Sequence, residues 1–448
     1  MKKAFLFAVI FLTAVSTIFA QAKKEFRIVS EAIPQEETYV MYIEDFDWGA
    51  GISKFVIQTK KEFAAEEIKA EDFEIDIYAK LRSARLFPVR HKNPLVSKAY
   101  LCDVYGNEIE NGSGRYIALE INSSEDDKDT HAFNNTVIFD MDAVGNVHIE
   151  NDELDIDIEK CAGYVNKNAA AFEIASSTYN PSKKSKDAIE MKYAYFLPDS
   201  AKLANEEKND SKKIPLIVWF HGVSEGGTNP YMPLLGGQRA VNLAREKIQS
   251  HFENGAAILV PLSKTSFMEL SKTDRAGNRL WSIMDKSNER TTSYYTNAVM
   301  NLIEKFAEQN PQIDTERIYL GGASAGGYMV INMILEFPEK FAAAFPSSEA
   351  YSDKNISDED LGILKKIPLW ITACEGDKIV NAEKFSIATY ERLKNDGAKD
   401  LHFSLYDKVL VGDEEYNPHC VWIYVLRDEV FDGELNLFDW LAAQKVSQ

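Results

Sequence analysis

The stretch Arg317-Ile-Tyr-Leu-Gly-Gly-Ala-Ser-Ala-Gly-Gly-Tyr328 decides how this chain folds, because it places the pattern Gly-x-Ser-x-Gly between two apolar segments. The run before the glycines, residues 317–320, predicts a short strand. The run from Tyr328 to Phe337, which Pro338 closes, predicts a helix. A strand, this pattern and a helix in direct succession are typical of a tight turn that presents a serine nucleophile at the edge of a sheet.

Ser324 lies at the centre of this turn and is the candidate nucleophile. The positions two before and two after it have to be very small, and Gly322 and Gly326 meet that need. The N–H of Ala325, at the start of the predicted helix, would face a developing oxyanion. The alternative, a glycine-rich turn with an incidental serine, is disfavoured by the flanking strand and helix.

The second half of the chain alternates apolar runs with helical stretches such as residues 294–310 and 383–395. The candidate strands are rich in apolar residues, and they are residues 214–220, 256–260, 317–320, 342–345, 368–372 and 401–406. Strands of this kind between helices predict a mostly parallel sheet with helices on both faces. With the serine turn in this sheet, we expect an α/β-hydrolase fold over residues 191–448.

Residues 23–160 have a different character, with short runs rich in β-branched and aromatic residues between clusters of Gly, Asn and Asp. These runs are residues 39–43, 55–57, 73–78, 116–121 and 136–139. They predict a small β-sandwich of Ig-like size ahead of the α/β unit. Residues 161–190 include the polar segment Asn180-Pro-Ser-Lys-Lys-Ser-Lys186 and are predicted to form a linker.

Residues 1–22 have the composition of a secretory signal peptide. Lys2 and Lys3 precede the uncharged apolar run 4–19, and Ala20-Gln21-Ala22 offers a cleavage site. The apolar run is short for a membrane span of about 20 residues, and a charged segment follows it. We therefore expect a secreted or periplasmic protein without stable membrane insertion.

Composition restricts the partners and cofactors. The formal net charge is −20 and no basic cluster offsets it, so a nucleic acid would be repelled and is not expected as a partner.

The four cysteines, whose spacing fits no metal motif, are Cys102, Cys161, Cys374 and Cys420. Export permits disulfides, and a bridge between Cys374 and Cys420 is conceivable, with free buried thiols as the alternative. The sequence leaves the oligomeric state open.

A serine hydroxyl is a weak nucleophile, so it needs a base to take its proton. In an α/β hydrolase the acid and then the histidine follow the serine along the chain. Two of the seven histidines, His402 and His419, follow Ser324. His402 lies inside an alternating strand and is expected to be structural. His419 lies in a polar loop after a strand, which makes it the candidate base.

Asp377 is the candidate acid that would orient this base, because it follows the strand predicted over residues 368–373 and precedes a helix. Glu375 is the near alternative, and Asp407 and Asp413 are weaker ones. The other interpretation of each is a solvated loop carboxylate.

The glycine-rich segment 220–227 follows a predicted strand, and its Val223 N–H is the candidate for the second oxyanion donor. A plain glycine-rich loop is the alternative. We expect His221 to hold this loop in place and to contact the substrate.

The long connection 262–293 carries Trp281, a second expected substrate contact, and is predicted to form a wall or partial lid of the pocket. A structural excursion packed on the core is the alternative.

The segment from Asp314 to Tyr328 resembles the elbow of α/β-hydrolase esterases related to polyhydroxybutyrate depolymerases and to prolyl-oligopeptidase-like peptidases. The resemblance continues in the same order through residues 337–344, residues 367–371, Gly376, Asp377, Val380, His419 and Trp422. The segment with Asp47-Trp48-Gly49 is similar to the Ig-like domain that precedes the catalytic domain in some of these esterases.

This resemblance implies serine carboxylesterase activity and a triad of Ser324, Asp377 and His419. Some related esterases act on feruloyl or acetyl esters of plant polysaccharides. Two departures leave the substrate open: Ala325 stands where many relatives have Met, and the loop reads His-Gly-Val-Ser instead of a glycine run.

The sequence therefore predicts an exported serine esterase that needs no metal or organic cofactor and acts on a small-molecule or polysaccharide-linked ester. A prolyl-oligopeptidase-like peptidase is one alternative, because it would use the same triad. The lack of a propeller domain weakly favours the esterase. A non-catalytic protein that binds a glycan or the cell surface on a hydrolase fold is the other alternative, and the presence of every triad residue disfavours it.

Overall fold

The computed structural model describes residues 26–80, 86–89, 96–126, 131–132, 146–182, 187–201, 213–271 and 289–446. Its first unit consists of the strands β1 (Ile28–Val29), β2 (Thr38–Phe46), β3 (Gly49–Ala64), β4 (Glu74–Lys80), β5 (Leu86–Val89), β6 (Val96–Leu101), β7 (Ser113–Ile121), β8 (Asn146–Asn151), β9 (Ile156–Ile158) and β10 (Lys160–Val165). One sheet has the order β1-β10-β2-β3-β7-β6 and the other β5-β4-β8-β9.

The two sheets of the first unit pack face to face because their side chains alternate along each strand. In β4, Ile75 and Ile77 are buried, whereas Glu74 is exposed. These isoleucines join Ile57 and Leu119 of the other sheet in one hydrophobic core. This arrangement confirms the predicted β-sandwich.

The second unit begins after helix α1 (Lys167–Ala170). Its main sheet has the strands β11 (Glu173–Tyr179), β12 (Ile189–Phe196), β13 (Ile214–Phe220), β14 (Ala257–Leu262), β15 (Ile313–Ala323), β16 (Ala343–Ser347), β17 (Leu369–Cys374) and β18 (Leu401–Tyr406). The helices are α2 (Met232–Leu235), α3 (Glu246–Gln249), α4 (Thr296–Gln309), α5 (Ala325–Glu336), α6 (Asp358–Leu364), α7 (Ser386–Asn395), α8 (Trp422–Leu426) and α9 (Leu437–Ala442). Two small hairpins pair β19 (Val409–Val411) with β20 (Glu414–Tyr416), and β21 (Phe431–Asp432) with β22 (Leu435–Asn436).

The main sheet has the order β11-β12-β14-β13-β15-β16-β17-β18. β12 pairs antiparallel with both β11 and β14, and the remaining neighbours pair in parallel. β13 is buried along its whole length: Leu216 and Val218 face one hydrophobic core, and Ile217 and Trp219 face the other. A sheet covered on both faces confirms the predicted α/β-hydrolase fold.

The predicted linker over residues 161–190 is wrong in its extent. Its first part lies in β10 of the sandwich, and Glu173–Tyr179 form an edge strand of the main sheet. The polar segment that suggested a linker falls in the connection between β11 and β12, and residues 183–186 of it are outside the described part of the chain. The turn of an antiparallel hairpin and a domain linker share the same polar composition, so composition alone did not separate them.

The tip of the β2–β3 hairpin docks onto the second unit through charges. We name Asp45, Asp47, Arg239, Arg245 and Arg427 the Asp47 cluster. Asp47 accepts hydrogen bonds from Arg239 Nη2 at 2.5 Å and from Arg427 Nη1 at 3.1 Å, and Asp45 pairs with Arg245. The hydrophobic core of the sandwich is continuous with the face of the main sheet that carries Ile217 and Trp219. Charges and apolar contacts thus join the two units.

Two further expectations concern the chain as a whole. Cys102, Cys161, Cys374 and Cys420 are all free thiols, so the conceivable bridge between Cys374 and Cys420 is not formed. None of the described helices is both long enough and apolar enough to cross a bilayer. The predicted signal peptide, residues 1–22, lies outside the described residues and stays a prediction.

Candidate active site

Ser324 sits on a strained turn between β15 and α5. Its backbone has φ 56° and ψ −117°, a conformation that residues other than glycine rarely adopt. A Cβ atom at Gly326 would lie 1.8 Å from the Phe220 carbonyl oxygen, and one at Gly322 would lie 2.8 Å from the Gly326 carbonyl carbon. Neither position accepts a larger residue, which is the size requirement predicted from the sequence. The turn therefore holds the Ser324 backbone in a conformation that belongs neither to the strand before it nor to the helix after it.

The register of the parallel strands brings three loops to one edge of the sheet. Phe220 at the end of β13 pairs with Gly322, and Ala323 pairs with Ser347 at the end of β16. Ser347 in turn pairs with Thr372, two residues before β17 ends. The loops after β13, β15 and β17 therefore open at the carboxyl edge, where α/β sheets bind their ligands.

Asp377 lies in the loop after β17, with 3% of its surface exposed. Its Oδ1 accepts the N–H groups of Ile379 at 2.8 Å and Val380 at 2.9 Å. Its Oδ2 accepts a hydrogen bond from His419 Nδ1 at 2.7 Å. Three donors thus compensate the burial of this carboxylate and fix its orientation.

His419 lies in a single 3-10 turn after the β19–β20 hairpin. Its backbone N–H donates to Asn417 Oδ1 at 2.9 Å, and its carbonyl accepts from Ser348 Oγ at 3.1 Å. The Trp422 ring packs edge-on against the imidazole, with 5.2 Å between ring centroids. The ring is therefore held by the hydrogen bond from one nitrogen to Asp377 and by its contact with Trp422.

Ser324 and His419 are each hydrogen-bonded to a residue at or directly after the end of β16. The Ser324 N–H donates to the Ser347 carbonyl at 3.0 Å, and the next residue, Ser348, holds the His419 carbonyl. Among the described residues, no hydrogen bond joins Ser324 Oγ to His419. In unliganded sites this bond is often long and forms only with substrate.

The other candidates for the acid and the base lie elsewhere. Glu375, Asp407 and Asp413 are exposed, and within the described residues none of them bonds to His419. His402 stacks on Trp370 at 4.5 Å and bonds to Asp432, which fits the structural role expected for it. The geometry therefore brings together Asp377 and His419.

The loop after β13 carries the candidate donor Val223. Val223 begins a 3-10 turn and Ala325 begins α5, so neither N–H has a partner inside its own helix. In the part of the chain that the structure describes, neither N–H donates a hydrogen bond to another element. Two free backbone N–H groups at this edge are what an oxyanion needs.

His221 is a structural residue of this loop, and the predicted substrate contact does not fit its position. The side chain is fully buried, its Nδ1 donates to the Gly222 carbonyl at 2.6 Å, and its Nε2 accepts the Ser263 N–H at 3.1 Å. Burial lowers the pKa of the imidazole to about 4, although the bond to Gly222 raises it. Both nitrogens are used, so His221 holds the loop and stays neutral. Trp281, the other expected contact, lies outside the described residues.

Sequence reasoning missed two buried residues beside this loop, Glu225 and Gln238. Glu225 accepts the N–H of Gly222 at 3.2 Å and that of Gln238 at 2.7 Å. Glu225 stands three residues after Gly222, as the acidic residue does in a capping box, but Gly222 has no side chain to complete that motif, so the pattern carries only half of the signal. Gln238 gave no signal, because its contacts are set by the tertiary fold. Nowhere in the described residues do three or more His, Cys, Asp or Glu side chains form a group that could hold a metal ion.

Comparison with known proteins matches two segments of the chain. Residues 283–398, which include Ser324 and Asp377, match the prolyl oligopeptidase family. Residues 38–194 match the esterase Ig-like N-terminal domain. No curated protein matches the chain significantly.

One solved structure shows the same architecture. A thermostable esterase superposes with a TM-score of 0.62 and 22% identity, over 91% of this chain and 100% of that one. A ferulic acid esterase reaches a TM-score of 0.37 and 17% identity over 57% of this chain and 94% of that one. An acylaminoacyl peptidase from Pyrococcus horikoshii reaches 0.39 and 18% over 63% of this chain and 44% of that one. The last two likenesses are too low to support a conclusion about this chain.

The first of these structures shows the fold, and the two family matches agree with the group that the sequence predicts. They favour an enzyme over the alternative of a non-catalytic binding protein. The chain is therefore a serine hydrolase with an α/β-hydrolase fold behind an esterase-type Ig-like domain.

Proposed function

We propose that this protein is an exported carboxylesterase in which Ser324 is the nucleophile, His419 the base and Asp377 the acid. The observation that carries the proposal is the 2.7 Å bond from His419 Nδ1 to the buried Asp377, at the sheet edge where the strained Ser324 turn opens. A buried carboxylate on one imidazole nitrogen and a serine on a strand-to-helix turn form the arrangement of a Ser-His-Asp triad.

In the acylation step, His419 Nδ1 carries the proton that bonds to Asp377, so Nε2 is the nitrogen that accepts the Ser324 hydroxyl proton. Ser324 Oγ attacks the ester carbonyl carbon and a tetrahedral oxyanion forms. The Val223 and Ala325 N–H groups would bind that oxyanion. The intermediate collapses when the ester C–O bond breaks and His419 gives its proton to the leaving alcohol. Asp377 stabilises the charged imidazole meanwhile.

In the deacylation step, a water molecule gives a proton to His419 and attacks the acyl carbon. The acid is then released, and the proton returns from His419 to Ser324 Oγ. This sequence needs no group beyond the chain and water.

We infer the location from residues 1–22 and the substrate class from the resemblance to related esterases. Residues 1–22 favour export, and an exported esterase meets polymer-derived substrates outside the cytoplasm. Feruloyl and acetyl esters of plant polysaccharides are therefore the substrates we propose to test first.

The direct test is hydrolysis of p-nitrophenyl acetate, p-nitrophenyl butyrate and methyl ferulate by the mature protein and by Ser324→Ala. We expect turnover in the parent protein and a loss of kcat by at least about 10⁴-fold in the variant. Ser250→Ala, a change at an exposed serine, is the matched control and should leave the rate unaltered. Equal turnover by Ser324→Ala would contradict the proposal.

A serine peptidase is the second candidate, because residues 283–398 match the prolyl oligopeptidase family. The triad would be the same, and the leaving group would be an amine instead of an alcohol. Proline-linked p-nitroanilides compared with the esters above separate the two. A higher kcat/KM for the anilides than for all three esters would replace the esterase by the peptidase.

A further inference from the structure

Glu225 is a buried carboxyl group outside the three residues that perform the proposed chemistry. It is 2% exposed, and both of its oxygens accept backbone N–H groups, from Gly222 and from Gln238. Within the described residues, no lysine, arginine or histidine pairs with it. Its hydrogen bonds therefore join the backbone at Gly222 to the backbone at Gln238 and do not neutralise a charge.

Gln238 extends this contact to the Ser324 turn. Its backbone N–H reaches Glu225 Oε1 at 2.7 Å, and its side-chain Nε2 donates to the Ala323 carbonyl at 3.1 Å. Ala323 is the residue before Ser324. A Cβ atom on Gly222 would lie 2.4 Å from Gln238 Nε2, so the side-chain amide of Gln238 packs against the backbone of the loop after β13. We call Glu225 and Gln238 the bracket.

The bracket joins the two elements that carry the candidate oxyanion donors. Val223 follows Gly222 in the loop after β13, and Ala325 follows Ser324 at the start of α5. A single oxyanion can bond to both N–H groups only if each lies about 2.7–3.1 Å from it. The distance between the loop and the turn therefore controls how well the transition state is bound.

We propose that Glu225 and Gln238 are positioning residues that set the spacing between the Val223 and Ala325 N–H groups. This inference rests on the proposed function, because it assigns the bracket a part in the same reaction. Neither residue touches the substrate. Both act through the backbone groups to which they bond.

The environment of Glu225 suits this task. Burial raises the pKa of its carboxyl to about 8, although the two backbone N–H donors lower it. At neutral pH the group is therefore mostly uncharged, and it adds little negative charge beside a developing oxyanion. A carboxyl can accept two N–H groups on opposite oxygens, whereas an amide would turn its NH₂ toward one of them.

The test compares Glu225→Gln and Gln238→Met with the parent protein on p-nitrophenyl butyrate. We expect kcat to fall by about 10- to 100-fold in each variant while KM changes little, because the loss is confined to the transition state. The double variant should lose less than the product of the two single losses, because both changes break the same link. Glu246→Gln, the same change at an exposed glutamate, is the control and should match the parent.

A second readout separates positioning from general damage to the fold. A trifluoromethyl ketone forms a tetrahedral adduct whose oxygen occupies the oxyanion position, so its Ki should rise by the same factor by which kcat/KM falls. If Glu225→Gln is unfolded at the assay temperature, Gln238→Met still tests the bracket, because that variant keeps the hydrogen bond from the backbone N–H of residue 238 to Glu225.

The outcomes also distinguish this inference from the proposed function. Ester turnover that depends on Ser324, together with parent values of kcat and Ki in both bracket variants, would overturn the bracket alone. An absence of Ser324-dependent turnover would overturn the proposed function and the bracket with it. A fall in kcat with a matching rise in Ki, at an unchanged KM, would support the bracket.

Discussion

The Asp47 cluster and the proposed catalytic edge, which is the sheet edge that carries Ser324, Asp377 and His419, are both polar regions with buried carboxyl groups. The two regions satisfy these carboxyl groups in different ways. At the catalytic edge, Asp377 and Glu225 bond to backbone N–H groups, and Asp377 also to one imidazole. In the Asp47 cluster, Asp47 bonds to two guanidinium groups from distant segments. Backbone donors have fixed positions, whereas arginine side chains adapt to the unit that docks on them.

The two kinds of partner indicate that each region controls a different property. Groups held by backbone donors set geometry, so their loss is expected to change the rate of catalysis more than the stability. Groups held by arginines join two units with separate sheets, so their loss is expected to change stability more than the rate. Substitutions in the two regions test this division between catalytic rate and stability.

Asp377→Asn should lower kcat by about 10³- to 10⁴-fold, because an amide cannot hold His419 in the tautomer that leaves Nε2 basic. The unfolding midpoint should move little, because the amide oxygen can still accept the Ile379 and Val380 N–H groups. Steady-state kinetics and thermal melting measure the two effects. The matched control is Glu375→Gln in the same loop, which should stay within about twofold of the parent rate. A large loss in Glu375→Gln with a mild one in Asp377→Asn would exchange their roles.

Asp47→Asn should lower the free energy of unfolding by about 3 kcal/mol, because it leaves the buried guanidinium of Arg239 without its charged partner. The rate of ester hydrolysis below the melting temperature should change little. Denaturant unfolding and kinetics on the same samples give both numbers.

Asp155→Asn is the control for this change, because its partner Lys61 is exposed and such pairs contribute less than about 1 kcal/mol. A loss of kcat in Asp47→Asn as large as that in Glu225→Gln would contradict the separation between residues that control rate and residues that control stability. It would show that strain at Arg239 reaches the neighbouring Gln238.

His251 offers a smaller, pH-dependent test outside both regions. Burial alone would lower the pKa of its imidazole, but hydrogen bonds to Asp428 at 3.0 Å and Asp439 at 2.7 Å outweigh burial and raise it. A histidine with a raised pKa in the folded state contributes its full stability below its unfolded pKa of about 6.5. That contribution is lost as the pH rises through the folded pKa.

The parent should therefore exceed His251→Gln in unfolding free energy by more at pH 5.5 than at pH 9. Denaturant unfolding at the two pH values measures this. An equal difference at both would mean that the bonds to Asp428 and Asp439 do not depend on the imidazole charge.

The sequence predicted those parts of the fold and site that depend on local rules. The need for small residues at Gly322 and Gly326 follows from one turn, and the structure shows the collisions that any Cβ would meet there. The positions of Asp377 and His419 follow from loops at strand ends, because parallel strands direct those loops to one edge. Their catalytic roles remain a proposal.

The parts that the sequence did not predict depend on contacts between distant segments. Gln238 reaches Ala323 across 85 positions of the chain, and Arg239 reaches Asp47 across 192. His221 is buried because Ser263 and the Phe267 ring close over it, which no pattern around residue 221 shows. The misplaced linker has the same origin, since the pairing of β11 with β12 decides whether a polar segment is a hairpin turn.

Labelling of the mature protein with a fluorophosphonate, followed by peptide mapping by mass spectrometry, tests directly whether Ser324 is the activated nucleophile. Such a reagent bonds covalently to a serine that a neighbouring base activates. We predict one adduct, on the peptide that contains Ser324, with loss of ester turnover in step with labelling and no adduct in Ser324→Ala. Labelling at another residue, or full ester turnover by the protein labelled at Ser324, would contradict the account.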